Sequence, residues 1–259
     1  MVFSRVFFLG AAALLFGAVA QPTPVTAAES SSPASQSNIM PKDRAGLDQA
    51  IHDYLMAHPD VILDALKAAQ QQADAQAAEQ SRRAIVTKKK ELFDSPDDLV
   101  QGNPQGDVAL VEFFDYRCPY CKQVEPSLDA MLKEDGKLRI VYKEFPILGE
   151  ASVYATRVAL AAKKQGKYAE FHRAMMATKG DIGDATVLNV ATSLGLDIAK
   201  IKADMNAPEV EKLIDANYAL ADALNIQGTP AIIIGDTLIP GAVDLDTLRK
   251  DIADARKGG

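Results

Sequence analysis

The 259-residue sequence has no tryptophan, only two cysteines and only three histidines. Each shortage excludes a class of protein. Two cysteines cannot build the disulfide framework of a small stapled scaffold. A closed structural zinc site takes about four ligands. Beyond Cys118 and Cys121 the chain offers only His52, His58 and His172, none in a spaced pair near the cysteines. No metal site is therefore expected, and the three histidines read as surface or capping residues. Positive charge is also short: the formal net charge is −7, which argues against nucleic acid as a partner. Beyond residue 20 no apolar run approaches the ~20 residues that a membrane-spanning helix needs.

At the N-terminus, Arg5 precedes an apolar run from Val6 to Ala20, which at about 15 residues is short for a span. Small residues follow, with Thr26-Ala27-Ala28 and Ala18-Val19-Ala20 as candidate cleavage sites. Residues 1–28 read as a secretory signal peptide. The competing reading is an uncleaved anchor. Both carry the bulk of the chain out of the cytoplasm, and the expected location is the periplasm.

Export places the two cysteines in an oxidising compartment. A structural disulfide stabilises more as the loop it closes grows, yet Cys118-Pro119-Tyr120-Cys121 closes almost nothing. Redox chemistry explains the pair better than a staple does. A dithiol is also a soft ligand, so Cu(I) binding is a chemically open secondary property.

Residues 29–38 are rich in Ser, Pro and Gln and read as a linker. Leu47, Ile51 and Leu55 then recur at helical spacing. Pro59 suits the first turn of a second helix, which the absence of Gly and Pro extends from Asp60 to about Phe93. At ~1.5 Å per residue that helix would run roughly 50 Å. Its stripe of Ile62, Leu66, Ala69 and Ala73 is narrow. Either it is a solvated spacer, or it packs against copies of itself; self-association through residues 40–90 is the expectation taken forward.

Pro96 and residues 102–106 mark a boundary, after which the pattern changes. Val108–Phe114 is a buried-type strand, and the cysteine motif opens a helix to about Asp135, with Pro126 expected to bend it. Leu138–Glu144 is a second strand, and residues 150–225 are helical segments punctuated by glycines and Pro208. Ala231–Ile234 and Thr237–Ile239 form a strand pair, and Asp244 caps a last helix through about Ala255. This order gives an α/β class matching the thioredoxin fold with a helical insertion, preceded by an N-terminal helical oligomerisation segment.

At a strand-to-helix junction, unpaired N–H groups and the helix dipole favour a thiolate at Cys118. Pro119 fits the first turn, and Cys121 lies one turn on, facing the same side. The first sulfur can attack a disulfide and the second can resolve the adduct.

Residues 111–122 (VEFFDYRCPYCK) resemble the active-site segment of the DsbA family, and Gly228-Thr229-Pro230 resembles the loop carrying that superfamily's cis-proline. Pro240-Gly241 with the last helix fits the family's ending, so the likeness covers about Leu92 to Arg256. With its N-terminal helices and Cys-Pro-Tyr-Cys, the chain most resembles ScsC-type (suppressor of copper sensitivity) proteins, some of which are trimeric disulfide isomerases. The resemblance implies a signal peptide (1–28), a linker and helical segment (29–90) and a DsbA-like domain (91–259).

It also implies roles. Cys118 and Cys121 form the redox-active disulfide. Thr229 and Pro230 lie beside it and bind substrate, with a cis bond expected rather than an ordinary trans turn. Pro119 and Tyr120 tune the redox potential. The familiar Cys-Pro-His-Cys has histidine where Tyr120 stands, so a strongly oxidising potential is not carried over. Glu112, six residues before Cys118, matches a buried acid that assists proton transfer at the second thiol, with Lys143 as a candidate charge partner; the alternative is a solvent-exposed strand end. Three functions compete: an isomerase or reductase of protein substrates, kept reduced by a membrane thiol reductase; a monomeric dithiol oxidase; and a copper-handling dithiol protein.

Overall fold

The computed structural model describes residues 44–258. The expected signal peptide and the expected linker lie outside these residues. The chain divides into two units at Pro59. The first contains helix α1 (Arg44–Ala57), with Leu47, Ile51 and Tyr54 exposed along it.

In the second unit, α2 (Pro59–Thr87) leaves Ile62 and Leu66 exposed and buries only Ser81 and Ile85, near its end. The single helix expected to about Phe93 is instead broken at Lys88, and a short α3 (Lys89–Phe93) follows. Ile85, Leu92 and Phe93, on either side of the break, enter one core together. A domain boundary between residues 90 and 91 would fall within α3.

Five strands follow: β1 (Leu99–Gly102), β2 (Val108–Phe114), β3 (Leu138–Glu144), β4 (Ala231–Ile234) and β5 (Thr237–Pro240), in sheet order β1-β3-β2-β4-β5. β2 and β3 are parallel and joined through α4 (Pro119–Glu134); the other pairings are antiparallel. α4 continues through Pro126. Between β3 and β4 lie α5 (Glu150–Lys164), α6 (Tyr168–Ala177), α7 (Asp184–Ser193), α8 (Ile198–Asp204) and α9 (Pro208–Ala223). The chain closes with α10 (Leu245–Gly258), where Asp244 Oδ1 accepts the Thr247 N–H at 2.8 Å as the expected cap.

Strand alternation gives the sheet two unlike faces. Leu110, Phe114, Ile140, Tyr142, Ile232 and Ile234 face the larger core, with α4, α5, α6 and α10. Val111, Phe113, Val141 and Ile233 face the smaller one, with Ile85, Leu92 and residues of α9. β2 lies at the centre, so the cysteine motif springs from the most enclosed strand. Among the described residues no helix is long and apolar enough to cross a membrane.

Candidate active site

Asp115 shapes the turn between β2 and α4. Its buried carboxylate accepts the Arg117 N–H at 2.7 Å, the Leu148 N–H at 3.0 Å and the Ser152 hydroxyl at 2.8 Å. Its carbonyl accepts the Cys118 N–H at 3.0 Å. Cys118 is thereby held extended as the N-cap of α4, with Pro119 in the first turn. Its sulfur accepts the Cys121 N–H at 3.4 Å. These contacts give Cys118 an electropositive seat.

The Thr229–Pro230 bond is cis, and the Cys118 thiol reaches the Thr229 carbonyl at 3.2 Å. Two loops 111 residues apart in sequence thus meet at one sulfur. The Cys118 thiol is lowered to about 6, chiefly by a hydrogen bond from Cys121, against the opposing effect of burial, with help from Thr229 and from the N–H groups of Cys121 and Tyr120. Cys121 moves the other way. Burial first, then its hydrogen bond to Cys118 and the charge of Glu112, push its thiol far above the ordinary range. Both cysteines are free thiols here, the dithiol form of the expected Cys118–Cys121 pair.

Tyr120 is 60% exposed at the rim. Beside the motif lies a cleft of about 500 Å³ lined by Arg117, Pro119, Lys122, Thr178, Lys179 and Asp181 among others. Lys122 is fastened there through its ammonium to the Thr178 carbonyl.

Glu112 is fully buried, not at an exposed strand end. Burial, the charge of Glu125 and the charge of Cys118 raise its carboxyl well above the usual carboxylate range. Its expected charge partner is a correction. Lys143 is the register partner of Phe113, so it points to the opposite face of the sheet from Glu112. There it is buried and donates to Asp98 and to the Glu91 carbonyl.

His172 is a second correction. It is fully buried on α6 rather than at the surface, with its ring 4.4 Å from that of Tyr142 and 4.8 Å from that of Phe114. Nε2 stands 3.6 Å from Glu125 Oε1 and Nδ1 3.4 Å from the Tyr116 hydroxyl. Glu144, also buried, accepts from Tyr116 at 3.0 Å, Tyr168 at 2.9 Å and Thr156 at 2.7 Å. Burial raises Glu144 to about 8 against the pull of these three donors. Reading the sequence for spaced metal ligands passed over Glu125 and Glu144. The signal that could have found them is the position of each charge on a core-facing stripe: Glu125 beside Val124 and Leu128, and Glu144 two residues from Tyr142.

The family model of the DSBA-like thioredoxin domain matches residues 109–253, more than half of the chain. The chain belongs to the DsbA-like thioredoxin family. A second model, the copper resistance protein ScsC N-terminal domain, matches residues 43–76. A thioredoxin-like oxidoreductase of Silicibacter pomeroyi is 44% identical, covering 66% of this chain and 98% of its own, with a TM-score of 0.64. The catalytic domain of Proteus mirabilis ScsC is 29% identical, covering 68% of this chain and 98% of its own, with a TM-score of 0.63. The Na+/H+ antiporter NhaA 1 of Salinispora arenicola is 27% identical over 163 residues, which are 62% of this chain and 25% of that protein. The chain spans about a quarter of the length of the curated relatives it matches first.

Proposed function

We propose that the protein is an exported, periplasmic thiol–disulfide oxidoreductase acting on protein substrates, and that it works as a disulfide isomerase. The observation that carries this reading is the opposed pair of thiols: Cys118 lowered to about 6 beside the cis Thr229–Pro230 bond, and Cys121 buried behind it with its thiol raised. Near neutral pH the Cys118 thiolate attacks a client disulfide, one client sulfur leaves as a thiolate, and a mixed disulfide forms. In isomerisation a second client thiolate attacks that bond and regenerates Cys118, with no net change in electrons. When no such thiol arrives, Cys121 gives up its proton, attacks Cys118 Sγ and releases the client reduced. A membrane thiol reductase returns the resulting Cys118–Cys121 disulfide to the dithiol.

Thr229 and Pro230 offer the client backbone a place to pair, as an added strand does at a sheet edge. Tyr120 and Pro119 border the sulfur that the client must reach. Exposed apolar side chains, Leu47 and Ile51 on α1 and Ile62 and Leu66 on α2, support self-association through residues 40–90, with a trimer as the expected assembly. Several dithiols joined in one particle raise the effective thiol concentration around one client.

The test is turnover of a scrambled, fully oxidised client with the reduced protein. We expect native disulfides to accumulate catalytically. Cys118→Ser should abolish exchange, whereas Cys121→Ser should accumulate mixed disulfides on non-reducing gels. Efficient oxidation of reduced clients without reshuffling would instead assign the protein as a dithiol oxidase.

A further inference from the structure

Six polar atoms buried on the α4 side of the sheet have no hydrogen-bond partner: both carboxylate oxygens of Glu112, both of Glu125, the Tyr142 hydroxyl and His172 Nε2. They form one neighbourhood. Glu112 and Tyr142 are register partners on adjacent strands, so their side chains share a face. The Tyr142 ring lies against the His172 ring, and His172 Nε2 faces Glu125 Oε1. Glu112 and Glu125 sense each other's charge, and Glu112 also senses Cys118. Protein interiors rarely leave such atoms unpaired, and a cluster of them calls for an explanation such as a bound water or a catalytic role.

On the other side of the ring, with Tyr116 donating its one proton to Glu144, the Tyr116 oxygen can accept from His172 Nδ1–H. In that tautomer Nε2 carries a lone pair beside Glu125, and the imidazole can receive a proton on the side facing that acid.

We propose that His172 is a positioning residue for the resolving step, its Nε2 taking, by way of Glu125, the carboxylic proton that Glu112 gives up while Cys118 is held in a mixed disulfide. The proposal rests on the oxidoreductase reading above. Once Cys118 is bonded to a client sulfur, its charge no longer opposes ionisation of Glu112. The Glu112 proton leaves to the neighbouring Glu125 carboxylate, which passes it on to Nε2, 3.6 Å from Glu125 Oε1, and an imidazolium forms there. The Glu112 carboxylate accepts the Cys121 thiol proton as Cys121 Sγ bonds to Cys118 Sγ. The bond from Cys118 to the client breaks, and the client sulfur leaves with the electron pair as a thiolate. The titratable groups around His172 and the residues it touches are Glu112 and Tyr116 from β2 and its loop, Tyr142 and Glu144 from β3, Glu125 and Asp129 from α4, and Arg173 and Tyr168 on α6.

The full chain, reduced and treated with Ellman's reagent, releases thionitrobenzoate twice: once when Cys118 attacks and once when Cys121 resolves the adduct. Stopped-flow across pH 5–9 separates the two. In His172→Gln, which keeps the bulk but cannot take the proton, the first release should keep its wild-type pH midpoint. The second should slow about a hundredfold, the lower end of what a lost acid–base group costs, and its pH profile should change. A second release with wild-type rate and profile would overturn the proposal. If that variant does not fold, Glu125→Gln reads the same step, and an unchanged profile there is equally fatal. Loss of the first release in the wild-type chain would instead sink the oxidoreductase reading itself.

Discussion

Cys118 and Cys121 stand three positions apart on one helix and are made chemically opposite by small differences in setting. The first takes hydrogen bonds at the helix mouth; the second is closed off in the core next to Glu112. Buried charge is placed with the same economy elsewhere. Lys143 and Asp98 are each 1% exposed and paired, and Asp98 is raised to about 6 by burial that its partner only partly offsets. Truncating one member of a buried pair leaves the other charge without a counter-ion, at a cost of about 3–5 kcal/mol. Lys143→Met should lower the urea-unfolding free energy of the reduced protein by that order at pH 7.5. Because Lys143 lies on the face away from the cysteines, the pH dependence of Cys118 alkylation should not change. A stability change near zero would show that Asp98 finds another partner.

Elements with a strong apolar period were legible to within a residue or two. Val108–Phe114, Leu138–Glu144 and Ala231–Ile234 are strands as expected, because nearly continuous apolar residues bounded by turns leave little choice. β1 escaped because its four residues, Leu-Val-Gln-Gly, hold too little alternation to stand out beside the Pro96 turn. The break at Lys88 was hidden for a related reason. The local signal is weak: only the β-branched run Ile85-Val86-Thr87 lowers helix propensity just before the break. The site followed the same rule. Local features, the helix-start cysteine and the buried Glu112, could be read directly, and the cis bond at Thr229–Pro230 came from resemblance. His172 could not be found that way, because only the packing of α6 on the sheet brings it to Glu125 and Tyr142. Lys143 was misassigned because a place on another strand of the same sheet says nothing of register, which sends the two side chains to opposite faces.

At the scale of the molecule, a dithiol domain follows helices that expose their apolar side chains. Ile51 at 49% and Leu66 at 62% exposure lie outside both cores, and leaving such residues in water is unfavourable unless another surface covers them. Ile51→Glu with Leu66→Glu in the mature chain should therefore shift sedimentation from an oligomer to a monomer while leaving Cys118 alkylation untouched. A wild-type chain that sediments as a monomer would refute the assembly and with it the proposed multi-thiol capture of clients.

The central claim is that Cys118 is a thiolate at neutral pH, and the most direct test is its alkylation by iodoacetamide in the reduced mature protein as a function of pH. Its thiol is lowered from 9.0 to about 6, so the reactive form should be fully present above pH 7 and lost as pH falls through 6. The expected result is a titration of the alkylation rate with a midpoint near 6, with Cys121 unlabelled throughout. A midpoint between 8 and 9, the value of an ordinary cysteine, would contradict the account.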